Sequence, residues 1–83
     1  MPKYPELLSK ILLGTSDTNI RFDELCDVLR FLGFRMRVKG SHHIFTKEGI
    51  ADRLNLQEES GKAKTYQVRQ VRKIILKNKL WSN

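Results

Sequence analysis

The residues best equipped for chemistry stand in one short run, Arg35-Met36-Arg37-Val38-Lys39-Gly40-Ser41-His42-His43. Histidine is the side chain whose ordinary titration spans neutral pH, so it can take or give a proton there. Cations beside it meet the negative charge that builds on a phosphate during cleavage. Together they form the least equipment needed to cut a phosphodiester whose own ribose 2′-hydroxyl serves as nucleophile, and neighbouring cations favour the neutral imidazole that a general base requires.

Other chemistries fit the inventory less well. Ser41 and His42 cannot work as a serine–histidine pair, because adjacent strand residues point to opposite faces. Asp52, Glu58 and Glu59 are not spaced to assemble a carboxylate metal site, and there is no glycine-rich phosphate loop or HExxH pattern. The single cysteine, Cys26, cannot close an intrachain disulfide, and with two histidines it leaves no zinc framework. No metal and no cofactor are expected. Cys26 lies beside an apolar helical stripe and reads as a small buried hydrophobe.

The side-chain directions depend on a hairpin. Phe34, Met36 and Val38 alternate with Arg35, Arg37 and Lys39, the period of a strand with one apolar and one basic face. A two-residue turn at Lys39-Gly40 would set Val38 opposite Ser41, Arg37 opposite His42 and Met36 opposite His43. One face then carries Phe34, Met36, Val38, His43 and Phe45 toward the helices. The other presents Arg35, Arg37, Lys39, His42 and Ile44 outward. A four-residue turn keeps this parity, whereas an odd-length turn exchanges the two histidines. In the even register His42 is the candidate for function and His43 a packing residue.

The remaining elements must hold this hairpin. Tyr4, Leu7, Leu8 and Ile11 recur at helical spacing and predict a helix over residues 4–13, stopped by Gly14. Phe22, Leu25, Val28, Leu29 and Leu32 predict a second over 22–32, with Asp23 and Glu24 in its first turn and Gly33 beyond its end. Residues 41–46 form the returning strand. A weaker third strand is predicted over 50–56, where Ile50, Leu54 and Leu56 share parity but Asp52 breaks the apolar face. Residues 57–64 read as a polar loop. A last helix follows over 66–79, with Val68, Val71, Ile74 and Ile75 on one face. Helices flanking an antiparallel meander pack most simply on one side of it, giving a two-layer α+β fold, α-β-β-β-α plus an N-terminal helix. That order also occurs in double-stranded-RNA-binding domains.

Composition narrows the partners. Eighty-three residues suit one domain, and sixteen Lys and Arg against nine Asp and Glu give a formal charge of +7. Such an excess favours phosphate backbones, anionic membranes or an acidic protein. The longest apolar runs, Ile11-Leu12-Leu13 and Ile74-Ile75-Leu76, fall far short of the roughly 20 residues of a membrane span, and neither end has a signal-peptide pattern. The expected setting is a reducing cytoplasm. Arg35, Arg37 and Lys39 form a candidate phosphate track, to which Lys47 and the helical cations Arg69, Arg72 and Lys73 are added as candidate RNA contacts.

Leu32-Gly33-Phe34, then Lys39-Gly40-Ser41-His42-His43-Ile44-Phe45, and later Tyr66-Gln67-Val68-Arg69-Gln70-Val71 resemble the HicA (YcfA-like) family of toxin ribonucleases. The likeness covers about residues 22–80 and leaves residues 1–21 as an N-terminal extension. It implies a double-stranded-RNA-binding-like fold and cleavage of messenger RNA. It also implies growth arrest when unopposed, and neutralisation in a hetero-oligomer with a HicB-type antitoxin. It further implies that His42 is catalytic, with Gly40 and Ser41 as motif members at the turn. Two features depart from the family: the third strand lacks its common His-Pro element, and Tyr66-Gln67 stands where many members have Gly-Thr. Competing readings are a non-catalytic RNA-binding module and a basic domain for an acidic protein partner.

Overall fold

The computed structural model describes residues 4–80. Helix α1 (Tyr4–Leu13) is followed by a single 3-10 turn (Asp17–Asn19) and helix α2 (Phe22–Phe31). Strands β1 (Arg35–Lys39), β2 (His42–Lys47) and β3 (Ile50–Leu56) make an antiparallel sheet in the order β1-β2-β3. A small hairpin of β4 (Glu58–Glu59) and β5 (Lys62–Ala63) leads to helix α3 (Thr65–Lys77). Among the described residues the fold is α+β, with three α-helices and a three-stranded antiparallel sheet beside the small β4–β5 hairpin.

The apolar faces anticipated from periodicity meet in one core. Leu25, Val28 and Leu29 of α2, Phe45 of β2, Leu54 and Leu56 of β3, and Val68, Val71 and Ile75 of α3 are all fully buried there. Burial of each such side chain contributes about 1.5–3 kcal/mol. Ile11 of α1 and Ile20 join the same cluster. Residues 4–20 therefore belong to the helical layer, and the far face of the sheet is uncovered among the described residues.

The segment over residues 57–64 is more ordered than the loop its polarity predicts. Ser60 and Gly61 both have positive φ, 52° and 82°, as a two-residue type I′ turn demands, and Glu59 pairs with Lys62 across it. The hairpin is anchored to the start of α2. Phe22 N–H donates to the Gly61 carbonyl at 3.0 Å, and Ala63 N–H donates to the Ile20 carbonyl at 2.9 Å. Asp52, which interrupts the apolar pattern of β3, reaches Lys77 of α3 at 3.4 Å. A carboxylate there ties the sheet's edge to the helix.

The hairpin turn also falls one residue later than expected. Lys39 pairs with His42 and Val38 with His43, so Gly40 and Ser41 are the turn residues. Gly40 has φ +61°, a conformation that glycine adopts without strain and that favours it at the first position of a hairpin turn. The register slides by two residues against the expected pairing. An even slide preserves which face each side chain takes.

One expectation about the apolar face is corrected. Met36 and Val38 do lie on the helix side by parity, yet they are 38% and 54% exposed. Strand β1 is the sheet edge away from α3 and extends past the helical layer, which covers β2 and β3. Phe34 and Phe45 are the residues of that set that enter the core.

Candidate functional site

The open face of the sheet is built from successive cross-strand rungs. Lys39 stands opposite His42; Arg37 stands opposite Ile44, which faces Asn55 on the other side; Arg35 stands opposite Thr46. Between Phe45 and Lys47 the pairing of β2 with β3 is irregular, and the single residue Thr46 faces Ala51, Asp52 and Arg53. That irregularity brings Arg53 beside Thr46. Arg37, Lys39, Ile44, Thr46 and Arg53 line a shallow depression.

His42 is exposed at the end of this face, beside the turn. Its Nδ1 lies 2.9 Å from Asn55 Oδ1. Ser41, in the turn itself, accepts a hydrogen bond from Gln57 Nε2 at 3.0 Å. His43 takes the other side. It is half-buried, with its ring edge-on to Phe22 at a centroid separation of 4.9 Å, and its Nδ1 has no hydrogen-bond partner among the described residues. The two adjacent histidines thus occupy different environments because the strand alternates.

The structure brings together Arg35, Arg37, Lys39, Gly40, Ser41 and His42 and separates the other residues anticipated as RNA contacts. Lys47 turns to the helix side, so close to the end of α2 that a Cβ built on Gly33 would stand 2.5 Å from its Nζ. A cation there complements the helix C-terminus. Arg69, Arg72 and Lys73 belong to α3, on the opposite side of the sheet from His42. Arg72 is engaged by Asp17, donating through Nη1 and Nη2 at 2.9 and 3.0 Å, and Arg69 comes within 3.9 Å of the same carboxylate. Arg72 also donates to the Ile11 carbonyl at 3.1 Å, which fits a residue that fastens the N-terminal segment rather than one that meets a ligand.

Arg53, Asn55 and Gln57 also belong to this face, although the sequence alone did not single them out. Their alternation with Leu54 and Leu56 was the available signal, since it places all three on the face opposite the core.

Chemically, the face offers an exposed imidazole opposite Lys39, with Arg37, Arg35 and Arg53 further along the same face. No group of three His, Cys, Asp or Glu side chains suited to one metal ion occurs among the described residues. Cys26 is buried, and burial pushes its thiol up to about 11, with the Asp27 and Asp23 charges adding to the effect. A thiol so protonated is a poor nucleophile at neutral pH. Among the described residues no helix is long and apolar enough to cross a membrane.

Comparison with models of known families, with curated proteins and with solved structures yields no match.

Proposed function

We propose that this chain is a metal-independent endoribonuclease of the toxin–antitoxin kind, with a double-stranded-RNA-binding-like fold and His42 as its proton carrier. The observation that carries the reading is the position of His42, exposed on an uncovered sheet face directly opposite Lys39 and one rung from Arg37. Cations on that face hold the phosphate and offset the charge that grows on its oxygens. His42 takes the proton from the ribose 2′-hydroxyl as that oxygen attacks phosphorus, the bond from phosphorus to the 5′-oxygen of the next nucleotide breaks, and that oxygen takes a proton from solvent water. The products are a 2′,3′-cyclic phosphate and a 5′-hydroxyl.

The resemblance of Gly40-Ser41-His42-His43 and its flanks to the HicA toxins supports messenger RNA as the substrate, a cytoplasmic setting and a HicB-type antitoxin as the partner. Because the N-terminal segment packs with the helices, the basic face is open to such a partner. An acidic segment laid across Arg35, Arg37 and Lys39 would neutralise the site by occupying the phosphate track.

The test uses a labelled single-stranded RNA and the same RNA with one 2′-deoxynucleotide at a mapped cut. Cleavage that stops at the substituted position, and products ending in a cyclic phosphate, are expected. RNA that is bound but left intact by the folded protein would instead favour a non-catalytic RNA-binding module.

A further inference from the structure

Asn55 near the end of strand β3 and Gln57 just beyond it carry two amides on the open face, and each holds one residue of the hairpin tip. Gln57 binds Ser41, and Asn55 binds His42. Gln57 is itself fixed from below by the fully buried Gln67 of α3. In the orientation that sets donor against acceptor, the Gln67 amide donates to the Gln57 carbonyl and accepts from its N–H, both at 3.0 Å. A buried helical residue thus anchors the strand end that touches the tip.

The contact to His42 has a chemical consequence. An amide oxygen only accepts hydrogen bonds, so the imidazole nitrogen that faces Asn55 Oδ1 must carry the proton. The tautomer of a neutral histidine is set by the bond that one ring nitrogen makes, and the lone pair then falls on the other nitrogen. Without such a bond, an exposed imidazole exchanges between tautomers, and only one of them presents a base at Nε2.

We propose that Asn55 is a positioning residue that holds neutral His42 as the Nδ1–H tautomer and keeps its Nε2 lone pair available to the substrate. This rests on the reading of His42 as the proton carrier, but the tautomer can be read without any cleavage assay. Asn55 is exposed and outside the core, so its replacement leaves the fold intact.

The test is a two-bond proton–nitrogen ring correlation on the ¹⁵N-labelled full chain at a pH where the histidines are neutral, for wild type, Asn55→Ala and Asn55→Asp. His43 is the internal reference. Wild type is expected to show His42 protonated at Nδ1, Asn55→Ala a mixture enriched in the Nε2–H form, and Asn55→Asp a return to Nδ1–H, since a carboxylate accepts the same bond. In parallel, Asn55→Ala lowers kcat several-fold with KM for RNA unchanged, and Asn55→Asp restores it with the acid limb of the pH profile moved upward. A wild-type His42 protonated at Nε2, with Asn55 presenting its NH₂ instead, overturns the proposal, as does an Asn55→Ala spectrum like wild type. If the tautomer follows Asn55 while His42→Ala cleaves RNA as fast as wild type, Asn55 still sets the tautomer and the reading of His42 as the proton carrier falls. If His42→Ala abolishes cleavage while Asn55→Ala changes neither tautomer nor kcat, the reverse holds.

Discussion

Arg72 grips Asp17 through two hydrogen bonds of 2.9 and 3.0 Å, joining the last helix to the segment that precedes α2. The paired side chains are only 21% and 12% exposed, so the bond is sheltered from solvent more than a surface ion pair is. Hydrogen bonding to Arg72 holds the Asp17 carboxyl below its ordinary value, against the opposing effect of burial, with the Arg72 and Arg69 charges assisting. A group lowered in the folded state stabilises above its unfolded titration and loses that contribution as pH falls through the lowered value. Asp17→Asn is therefore expected to cost about 1–2 kcal/mol near neutral pH. The difference from wild type should shrink to nothing in strong acid. Thermal melts of both chains followed by circular dichroism from about pH 7 to about pH 2 check this.

The same pair separates two kinds of cation. Arg37→Ala, Lys39→Ala and Arg53→Ala each remove a charge from the open face and should weaken RNA binding. Each should also reduce the salt slope of log K by about 0.7, the share of one phosphate contact on a single strand. Arg72→Ala should lower the melting temperature and leave RNA affinity near wild type. Fluorescence anisotropy of a labelled RNA across a salt series reads both effects.

Burial of Cys26 makes a prediction about reactivity. With its thiol titrating near 11, the native chain holds almost no thiolate at mildly alkaline pH. Labelling by an aromatic disulfide should run at least about 100-fold slower than in denaturant, where the thiol returns to its ordinary range. Fast labelling of the folded protein would mean that α2 opens or that the thiol is exposed.

Much of the architecture was legible because its periods are clean. The apolar stripes of α1 and α2 and the alternation of Arg35 to Lys39 specified the elements, and an even hairpin turn fixed which face each histidine takes even though the turn sits at Gly40-Ser41. What periodicity does not encode is how far one layer reaches over another. Met36 and Val38 obey the pattern of a covered strand, yet β1 stands beyond the helices. The β4–β5 hairpin was hidden because Ser60-Gly61 is a weaker turn signal than Asn-Gly and its strands are two residues long. The partners of Arg72 and His42 lie 55 and 13 residues away in the chain. Local patterns carry no record of such contacts, so Arg72 reads as one more cation on a basic helix, and Asn55 as one polar residue in an alternating strand.

In the proposed mechanism His42 carries the proton in RNA cleavage without a metal. The most direct measurement is single-turnover cleavage of a labelled single-stranded RNA in EDTA by wild type, His42→Ala and His43→Ala, with the fold of each verified by circular dichroism. Wild type is expected to cut, His42→Ala to bind RNA but cut at least about 100-fold more slowly, and folded His43→Ala to retain cleavage. Cleavage by His42→Ala at the wild-type rate, or a folded wild type that binds RNA and leaves it whole, would contradict it.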